Sequence, residues 1–400
     1  MTSVRTTNNT DPHTDSITIY TDIADSTKAG MYVADQIRTG FKNKPANAVI
    51  IFASSKYNYD ELLGVVQKDA APVILVGCSS AGEFTNHKQG EGSVSAIALR
   101  SNEMQFTVGL GKNISKNVNQ AAQEVVDSFR GTKDLSYTYR SALVLADALA
   151  GYTDSLIDEM NRLTAGTYQF FGGGAGDDAQ FNTTHVFRGS KALTNAVVAL
   201  EILSNKPIGI GVRHGWKPTG ESMRVTESEG MKLISLNAVP AIEMFVKHAE
   251  STGQSLDLKN PTSFFLHNVI GIKTTQGYQL RVPLTIDESG AINCASDIPT
   301  GSLISFMKTT AASSASAAQE ATEDALMQLD GRQSNTALVF DCVATRLRTG
   351  GKFKNELQAV ADKIPGTSFV GCNTYGQVSR VDGQFNGFHN CTAVVCIFPK

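Results

Sequence analysis

Glycine, cysteine and small polar residues follow an apolar run near the start of the chain, in residues 75–83. The candidate binding residues of this segment are Gly77, Cys78, Ser79, Ser80, Gly82 and Glu83. Backbone N–H groups of such a turn can hold a carboxylate, and a glutamate can hold an ammonium group, so the turn suits an amino acid or another zwitterion. The competing interpretation is a tight turn whose serines cap a following helix.

A second segment, residues 369–377, has the same pattern close to the end of the chain. Its candidate binding residues are Cys372, Asn373, Thr374 and Tyr375. Cys78 and Cys372 occupy the same place in the two segments, and a thiol beside free N–H groups can be acidified. The alternative is a small buried residue, which is the more common role of cysteine. No histidine is near either thiol in sequence, so the sequence does not support a Cys–His nucleophile.

A third glycine segment, residues 168–178, contributes Gly173, Gly174 and Asp177 as candidate ligand contacts. It lacks the Gly-Lys-Ser/Thr of a phosphate-binding loop, and its two aspartates would repel phosphate. We therefore interpret it as a loop that lines a ligand or packs domains together. Asp177 and Asp178 are either an exposed turn pair or the ligands of a divalent metal ion, and the sequence favours the exposed pair.

The elements that position these turns recur with them. An apolar strand, a helix and a second strand precede each glycine turn, and a return strand follows it, at 92–99, 195–202 and 387–396. This pattern predicts a strand–helix–strand–glycine-turn–strand module used three times, in an α/β fold with mixed sheets flanked by helices. Turns at sheet ends are where such folds usually bind ligands, so we expect the glycine turns to face a cleft.

Further elements are predicted from periodicity and composition. Helices are expected at 29–39, 117–129 and 311–329. Residues 262–309 are interpreted as strand-rich, with one strand over 264–266.

Four hundred residues exceed one typical hydrophobic core, so the chain is expected to form more than one domain. We predict a disordered tail over 1–15, a first domain over 16–236 and a second over 237–400. The net charge of −3 and the absence of a basic run argue against nucleic-acid binding. No apolar run is long enough for membrane insertion, no signal peptide is recognisable, and the six cysteines form no CxxC pair, so we expect a cytoplasmic protein.

Histidines at strand ends are candidates for a cofactor site. Arg213 and His214 follow the apolar segment 207–212 and precede Trp216, while His389 and Asn390 adjoin the last strand. A histidine beside glycine and an aromatic residue could ligate haem iron, although a lone histidine is more often structural. The absence of CxxCH excludes covalent haem attachment.

In this order along the chain, the motifs resemble the FIST family of sensory proteins. The resemblance rests on 76–83, 171–178 and 211–216 for an N-terminal FIST domain, and on 370–376 and 387–390 for a C-terminal one. It implies a signal-transduction module that binds a small molecule, such as an amino acid, and signals to a separate partner, for example a histidine kinase. Some members of similar layout are described as haem-binding nitric oxide sensors, and this is the first alternative.

The chain departs from the family pattern at Gln377, where the resemblance implies an acidic residue like Glu83. An enzyme that uses Cys78 and Glu83 is the second alternative. The chain shows no nucleophile elbow, HExxH, P-loop or kinase motif, and we predict that it has no catalytic residues. The observation that would favour an enzyme is Cys78, Glu83 and His214 gathered in one closed pocket.

Overall fold

The computed structural model describes residues 13–381 and 387–400, and it is built from mixed β-sheets flanked by helices. The strands up to residue 213 are β1 (Thr14–Thr21), β2 (Ala48–Ser54), β3 (Ile74–Ser80), β4 (Glu83–Thr85), β5 (Gln89–Gly90), β6 (Val94–Ser101), β7 (Gln105–Lys112), β8 (Tyr139–Ala146), β9 (Gln169–Gly174), β10 (Val186–Arg188), β11 (Lys191–Leu193), β12 (Ala196–Ser204) and β13 (Gly209–Arg213). The helices of the same part are α1 (Ser26–Gly40), α2 (Tyr59–Asp69), α3 (Val118–Asp127) and α4 (Thr153–Leu163), with a short 3-10 helix at Ala148–Ala150.

The remaining strands are β14 (Lys217–Glu229), β15 (Lys232–Leu236), β16 (Val239–Pro240), β17 (Val269–Thr274), β18 (Gly277–Arg281), β19 (Pro283–Ile286), β20 (Ile292–Cys294), β21 (Leu303–Lys308), β22 (Ser334–Cys342), β23 (Ser368–Thr374), β24 (Gln377–Arg380), β25 (Gly387–His389) and β26 (Ala393–Pro399). The remaining helices are α5 (Ala241–Thr252), α6 (Thr262–His267), α7 (Ala311–Gln328), α8 (Val343–Thr349) and α9 (Lys354–Lys363), with a 3-10 helix at Gly350–Phe353. The expected α/β class is therefore confirmed.

Three six-stranded sheets have corresponding strand orders: β1-β6-β2-β3-β10-β11, β7-β12-β8-β9-β24-β25 and β13-β26-β22-β23-β4-β5. Each contains one parallel pair, namely β2 with β3, β8 with β9 and β22 with β23. The strand after each glycine turn leaves its own sheet and pairs with another: β4 with β23, β10 with β3 and β24 with β9. The three sheets are consequently linked in a ring.

One core lies between these sheets. Ile50, Leu143 and Leu338, one from each sheet, belong to the same buried cluster, and the rings of Phe52 and Phe340 meet edge to face at 5.6 Å. The strands are apolar along nearly their whole length because their other faces are covered by helices. Gly77 is required in β3 because a Cβ at this position would lie 1.9 Å from the Ile51 carbonyl oxygen.

Residues 217–308 form a fourth sheet, inserted between β13 and α7, with strand order β18-β17-β21-β14-β15-β20-β19 and β16 paired to β15. Its core centres on Phe245 of α5, which contacts Phe265 and Phe306 edge to face. The predicted strand over 264–266 is wrong, since these residues lie in α6. A short apolar run has no periodicity that separates a strand from a buried helical turn.

The predicted boundary at 236/237 falls between β15 and β16, which are hydrogen bonded to each other. The three-sheet body also joins both sides of that boundary, because β13 pairs with β26. The expected tail over 1–15 is too long, since Thr14 pairs with Ser101 in β1; residues 1–12 lie outside the described part. In the described residues, no helix is long and apolar enough to cross a membrane.

Candidate functional site

A cavity of about 630 Å³ lies where the fourth sheet meets the ends of two sheets of the three-sheet body. Its walls come from the start of α8, the turn between β23 and β24, the segment before α4, and the region from β19 to β20. This volume is in the range of small-molecule sites. The lining includes Tyr152, Asp154, Phe181, Val282, Leu284, Cys294, Asp297, Cys342, Ala344, Leu347, Tyr375 and Asn390.

The mouth of the cavity is unusually apolar. Six large apolar side chains that line it are exposed: Leu149, Tyr152, Phe181, Met231, Leu284 and Leu347. A single exposed apolar residue is ordinary, but a cluster around a cavity marks a binding surface. The arrangement therefore suits a ligand with a substantial apolar body.

Cys342 brings reactive chemistry to the cavity wall. It ends β22, and its side chain is buried within the protein while bordering the cavity. A hydrogen bond from the Cys391 thiol, with further ones from the N–H groups of Cys391 and Ala344 and from the Gln377 amide, lowers the pKa of Cys342 to about 6 against the opposing effect of burial. The thiolate is the nucleophilic form of cysteine.

Cys294 lines the same cavity but has the opposite character. Burial raises the pKa of its thiol to about 12, and the sulfur lies 3.9 Å from the Ile292 carbonyl oxygen. Cys391 also stays a thiol, because its hydrogen bond to Cys342 and its burial raise its pKa. The pKa values of the two cysteines at this cavity are therefore shifted in opposite directions.

A buried acidic pair lies behind Cys342. Asp341 accepts from the Cys342 N–H at 2.7 Å, and burial together with the charge of Glu356 raises the pKa of Asp341. Burial raises the pKa of Glu356 to about 7. Arg348 supplies positive charge to this group, and its guanidinium lies 5.2 Å from the centre of the Trp216 ring.

Polar side chains fix the remaining wall. Tyr375 donates to Asp177 and stacks on Phe181 with ring centres 4.5 Å apart. Arg281 pairs with Asp154 at 3.1 Å and thereby ties the fourth sheet to α4. These contacts hold the two sides of the cavity together at one edge.

The predicted glycine turns lie together, but they are packed on one another. The Ala81 N–H donates to the Asn373 carbonyl, the Gly176 N–H to the Ser79 carbonyl and the Gly174 N–H to the Gly376 carbonyl, each at 2.9 Å. Among the described residues, the turn of the second segment, 369–377, reaches the cavity described above through Tyr375 and Gly376. Of the predicted ligand contacts, Tyr375 and Asn390 line that cavity, whereas Gly77, Cys78, Ser79, Ser80, Gly82, Glu83, Gly173, Gly174, Asp177, Arg213, His214, Cys372, Asn373, Thr374 and His389 do not.

Glu83 is held inside the protein by its own neighbours. It is 1% exposed, and its carboxylate accepts from Ser80 Oγ at 2.5 Å and from Ser93 Oγ at 2.7 Å. Burial raises the pKa of Glu83 to about 7. The strand β4 follows this turn, so the alternative in which the serines cap a helix is wrong.

Cys78 and Cys372 are both fully buried, and burial together with Cys78 raises the pKa of Cys372. Cys78 belongs to the core between the sheets, while His214 Nε2 donates at 2.8 Å to the Tyr278 carbonyl oxygen at the edge of the fourth sheet. Neither Cys78, Glu83 nor His214 lines the cavity of about 630 Å³. Cys78, Glu83 and His214 therefore do not share the closed pocket that would favour an enzyme based on Cys78 and Glu83.

The sequence favoured an exposed pair for Asp177 and Asp178 of the third glycine segment, 168–178, and this prediction is wrong. Asp177 is buried and accepts from the N–H groups of residues 181–183, while Asp178 accepts from Ser54 and Ser55. Within residues 13–381 and 387–400, no group of three or more histidine, cysteine or acidic side chains is placed to hold a metal ion.

The predicted haem ligands do not fit the cavity, because neither His214 nor His389 lines it. In β25 and the residue after it, Phe388 and Asn390 line the cavity and His389 lies between them. Successive side chains of a strand point to opposite faces, which accounts for this alternation.

Sequence reasoning missed Cys342, although a signal was present. The sheet register pairs Cys342 with Thr374 in the same way that it pairs Ser54 with Ser80. The thiol therefore ends a strand beside a glycine turn, which is where the other candidate residues were sought. The role of Gln377 could not be recognised from the sequence, because this residue was interpreted only as the replacement of an expected acidic residue.

The fold and the cavity define an α/β protein of mixed sheets with a small-molecule-sized site at the sheet ends. The model of the FIST N domain matches residues 47–239 and that of the FIST C domain matches residues 243–380. The chain therefore belongs to the FIST family, whose domains are sensory modules associated with small-ligand sensing in signalling.

Among curated proteins, the chain is 22% identical over 314 residues to an uncharacterized protein of Methanocaldococcus jannaschii, covering 73% of this chain and 60% of that relative's length. Among solved structures, it is similar to cyanuric acid hydrolase from A. caulinodans at a TM-score of 0.34 and 8% identity, over 97% of this chain and 99% of the other. PurL of T. maritima in complex with FGAR follows at a TM-score of 0.23 and 9% identity, over 96% and 72%. Scores this low carry no functional argument.

Proposed function

We propose that the protein is a sensor whose small-molecule ligand binds in the cavity between the fourth sheet and the three-sheet body. The observation that carries this proposal is the combination of a cavity of about 630 Å³ with an apolar mouth and a polar wall at Cys342, Tyr375 and Asn390. Family membership supports the sensory role. The glycine turn of the second segment, 369–377, takes part through Tyr375, in keeping with the expectation that such turns contact the ligand.

The ligand is a molecule with an apolar body and one polar end. Burial of an apolar chain of several carbons stabilises the complex by about 0.8 kcal/mol for each CH₂ group. Of the two carboxylates that line the cavity, Asp154 is paired with Arg281 at 3.1 Å, whereas Asp297 is exposed and could meet an ammonium group. The screen therefore compares apolar molecules that have an uncharged head group with apolar amino acids.

The signal is a change in the position of the fourth sheet. That sheet is joined to the three-sheet body through 214–216 and 309–310, and its contacts to β25 and residue 390 lie on one side of the cavity: Gln279 Nε2 donates to the Phe388 carbonyl at 3.2 Å, and the Val282 N–H to Asn390 Oδ1 at 3.4 Å. A ligand wedged beside these contacts shifts the equilibrium between arrangements that it binds differently. We predict that a separate signalling protein, such as a histidine kinase, receives this signal.

The haem alternative gains no support from the histidines. A haem in this cavity would have to take its axial ligand from the lining residues, of which Cys342 has the appropriate chemistry. No other observation favours this function.

The test is a thermal-shift screen of the purified chain with medium-chain ketones, apolar amino acids and haem. The wild type is compared with Ala344→Phe, which fills the cavity from its α8 wall, and with Leu135→Ser, an exposed control position. We expect a ketone such as 2-nonanone to raise the Tm of the wild type and the control, and not that of Ala344→Phe. Equal shifts in all three proteins would contradict the proposed site.

A further inference from the structure

Two buried side chains of the cavity wall carry polar atoms that the protein itself does not use. Asn390 is 2% exposed and Ser296 is 6% exposed, and both line the cavity. In the part of the chain that the structure describes, neither Asn390 Nδ2 nor Ser296 Oγ forms a hydrogen bond to another residue. Buried polar groups are nearly always paired, so two unused ones beside a cavity point to a polar group on its ligand.

The orientation of the Asn390 amide follows from a backbone group. The Val282 N–H can only donate, and its nitrogen lies 3.4 Å from Asn390 Oδ1. The amide oxygen therefore faces Val282, and Nδ2 is left as a donor for the occupant of the cavity. The Val282 carbonyl accepts from the Ala295 N–H at 2.9 Å, so Val282 also anchors the segment that carries Ser296. Both unused polar groups thus belong to the same part of the wall.

The charged groups of the wall disfavour an anionic head group. Asp154 and Asp297 line the cavity, and no lysine, arginine or histidine of the described residues does. The Arg281 guanidinium pairs with the Asp154 carboxylate at 3.1 Å and donates to the Asp297 backbone carbonyl at 2.8 Å. Within residues 13–381 and 387–400, the Asp297 carboxylate has no ion-pair partner. A carboxylate ligand would therefore meet an uncompensated negative charge.

We propose that the cavity recognises an uncharged carbonyl group, and that Asn390 and Ser296 determine this specificity. This inference rests on the proposed function, since it names the head group of the ligand in the same cavity. A carbonyl oxygen has two lone pairs, so it accepts from Asn390 Nδ2 and Ser296 Oγ together. An ammonium group carries only donors and would leave Asn390 Nδ2 unpaired. The class of ligand is therefore an apolar ketone or ester.

The experiment compares 2-nonanone with 2-methyl-1-nonene, in which a CH₂ group replaces the carbonyl oxygen. Kd values for the full chain are obtained from the rise of Tm with ligand concentration. Ser296→Ala removes a hydroxyl that has no protein partner, so the fold is kept. Asn390→Asp keeps an acceptor for the Val282 N–H and loses the donor. Ser263→Ala, an exposed serine of α6 outside the cavity, is the matched control.

Loss of one hydrogen bond should raise the Kd of 2-nonanone about three- to tenfold in both Ser296→Ala and Asn390→Asp, and Ser263→Ala should bind as wild type does. The Kd of 2-methyl-1-nonene should be the same in wild type and Ser296→Ala, because the alkene accepts no hydrogen bond from the serine. The double comparison cancels the different tendencies of the two probes to leave water.

Two results would overturn the carbonyl assignment. One is a Ser296→Ala variant that weakens both probes equally or weakens neither. The other is nonylamine binding to wild type more tightly than 2-nonanone, because Asp297 would then hold an ammonium group. After either result the proposed function stands if Ala344→Phe abolishes binding. If Ala344→Phe binds 2-nonanone as wild type does, or if no probe raises the Tm of wild type, both proposals fail.

Discussion

Glu83→Gln tests whether the first glycine turn is a binding element or a buried structural junction. Burial raises the pKa of Glu83 to about 7 in the folded protein, while a glutamate in an unfolded chain titrates near 4.3. The folded state therefore binds this proton more tightly. The contribution of protonated Glu83 to the free energy of unfolding is fully present below about pH 4. This contribution is lost as the pH rises from about 4 to about 7.

The magnitude follows from the size of this shift. Each pKa unit corresponds to about 1.4 kcal/mol, so ionised Glu83 costs the fold about 3 to 4 kcal/mol at pH 8 relative to the protonated side chain. Glutamine resembles the protonated acid, and Gln377 shows that an amide fits a network of this kind, with hydrogen bonds to Thr374 and Thr392. Glu83→Gln should therefore stabilise the protein at pH 8 and have little effect at pH 4.

The assay is the Tm from scanning calorimetry at several pH values. With an unfolding entropy of about 2.1 cal/mol/K per residue, the variant should unfold about 4 °C above wild type at pH 8. Glu221→Gln, at an exposed position of β14, is the control and should show no pH-dependent difference. A Glu83→Gln difference that stays constant between pH 4 and pH 8 would refute this reasoning. If Glu83 instead held a ligand ammonium group, the variant would also lose ligand binding, which we do not expect.

Three further outcomes are expected. Gly77→Ala should prevent folding, because the added Cβ would lie 1.9 Å from a backbone oxygen, and soluble yield and circular dichroism would show this. The control Gly64→Ala places its Cβ in open space in α2 and should raise the free energy of unfolding by up to about 1 kcal/mol. Arg281→Ala leaves a largely buried carboxylate without its ion-pair partner and should cost about 3 to 5 kcal/mol in denaturant unfolding, while Arg162→Ala at an exposed pair should cost less than about 1 kcal/mol. Leu347→Asp at the cavity mouth should raise the Kd for 2-nonanone about five- to tenfold in calorimetric titration, and an unchanged Kd would argue against apolar recognition there.

Local sequence signals predicted much of the fold. Apolar runs predicted long central strands of the three sheets, such as β2, β8 and β22, and small helix-forming residues predicted α7 at Ala311–Gln328. The strand expected over 264–266 failed because Phe264 and Phe265 are both buried in one helical turn. Which strand pairs with which could not be predicted, since the strand after each glycine turn joins a different sheet.

The site was predictable only in part. Tyr375 and Asn390 were identified because they adjoin a glycine turn and the last strand, and they line the cavity. The first turn appeared to offer free N–H groups, but the Ser79 N–H donates to the His185 carbonyl and the Ala81 N–H donates to the Asn373 carbonyl. The lowered pKa of Cys342 has its largest cause in Cys391, which lies far along the chain, so this environment exists only in the folded protein.

The most direct test of the central claim uses Trp216, the single tryptophan of the chain. It packs in one cluster with Cys342, Ala344 and Val282 at the cavity wall, so its emission reports on occupancy. Titration with 2-nonanone should change the emission of wild type in a saturable manner and leave that of Ala344→Phe unchanged. A saturable change of equal affinity in Ala344→Phe would contradict the claim that the ligand binds in this cavity.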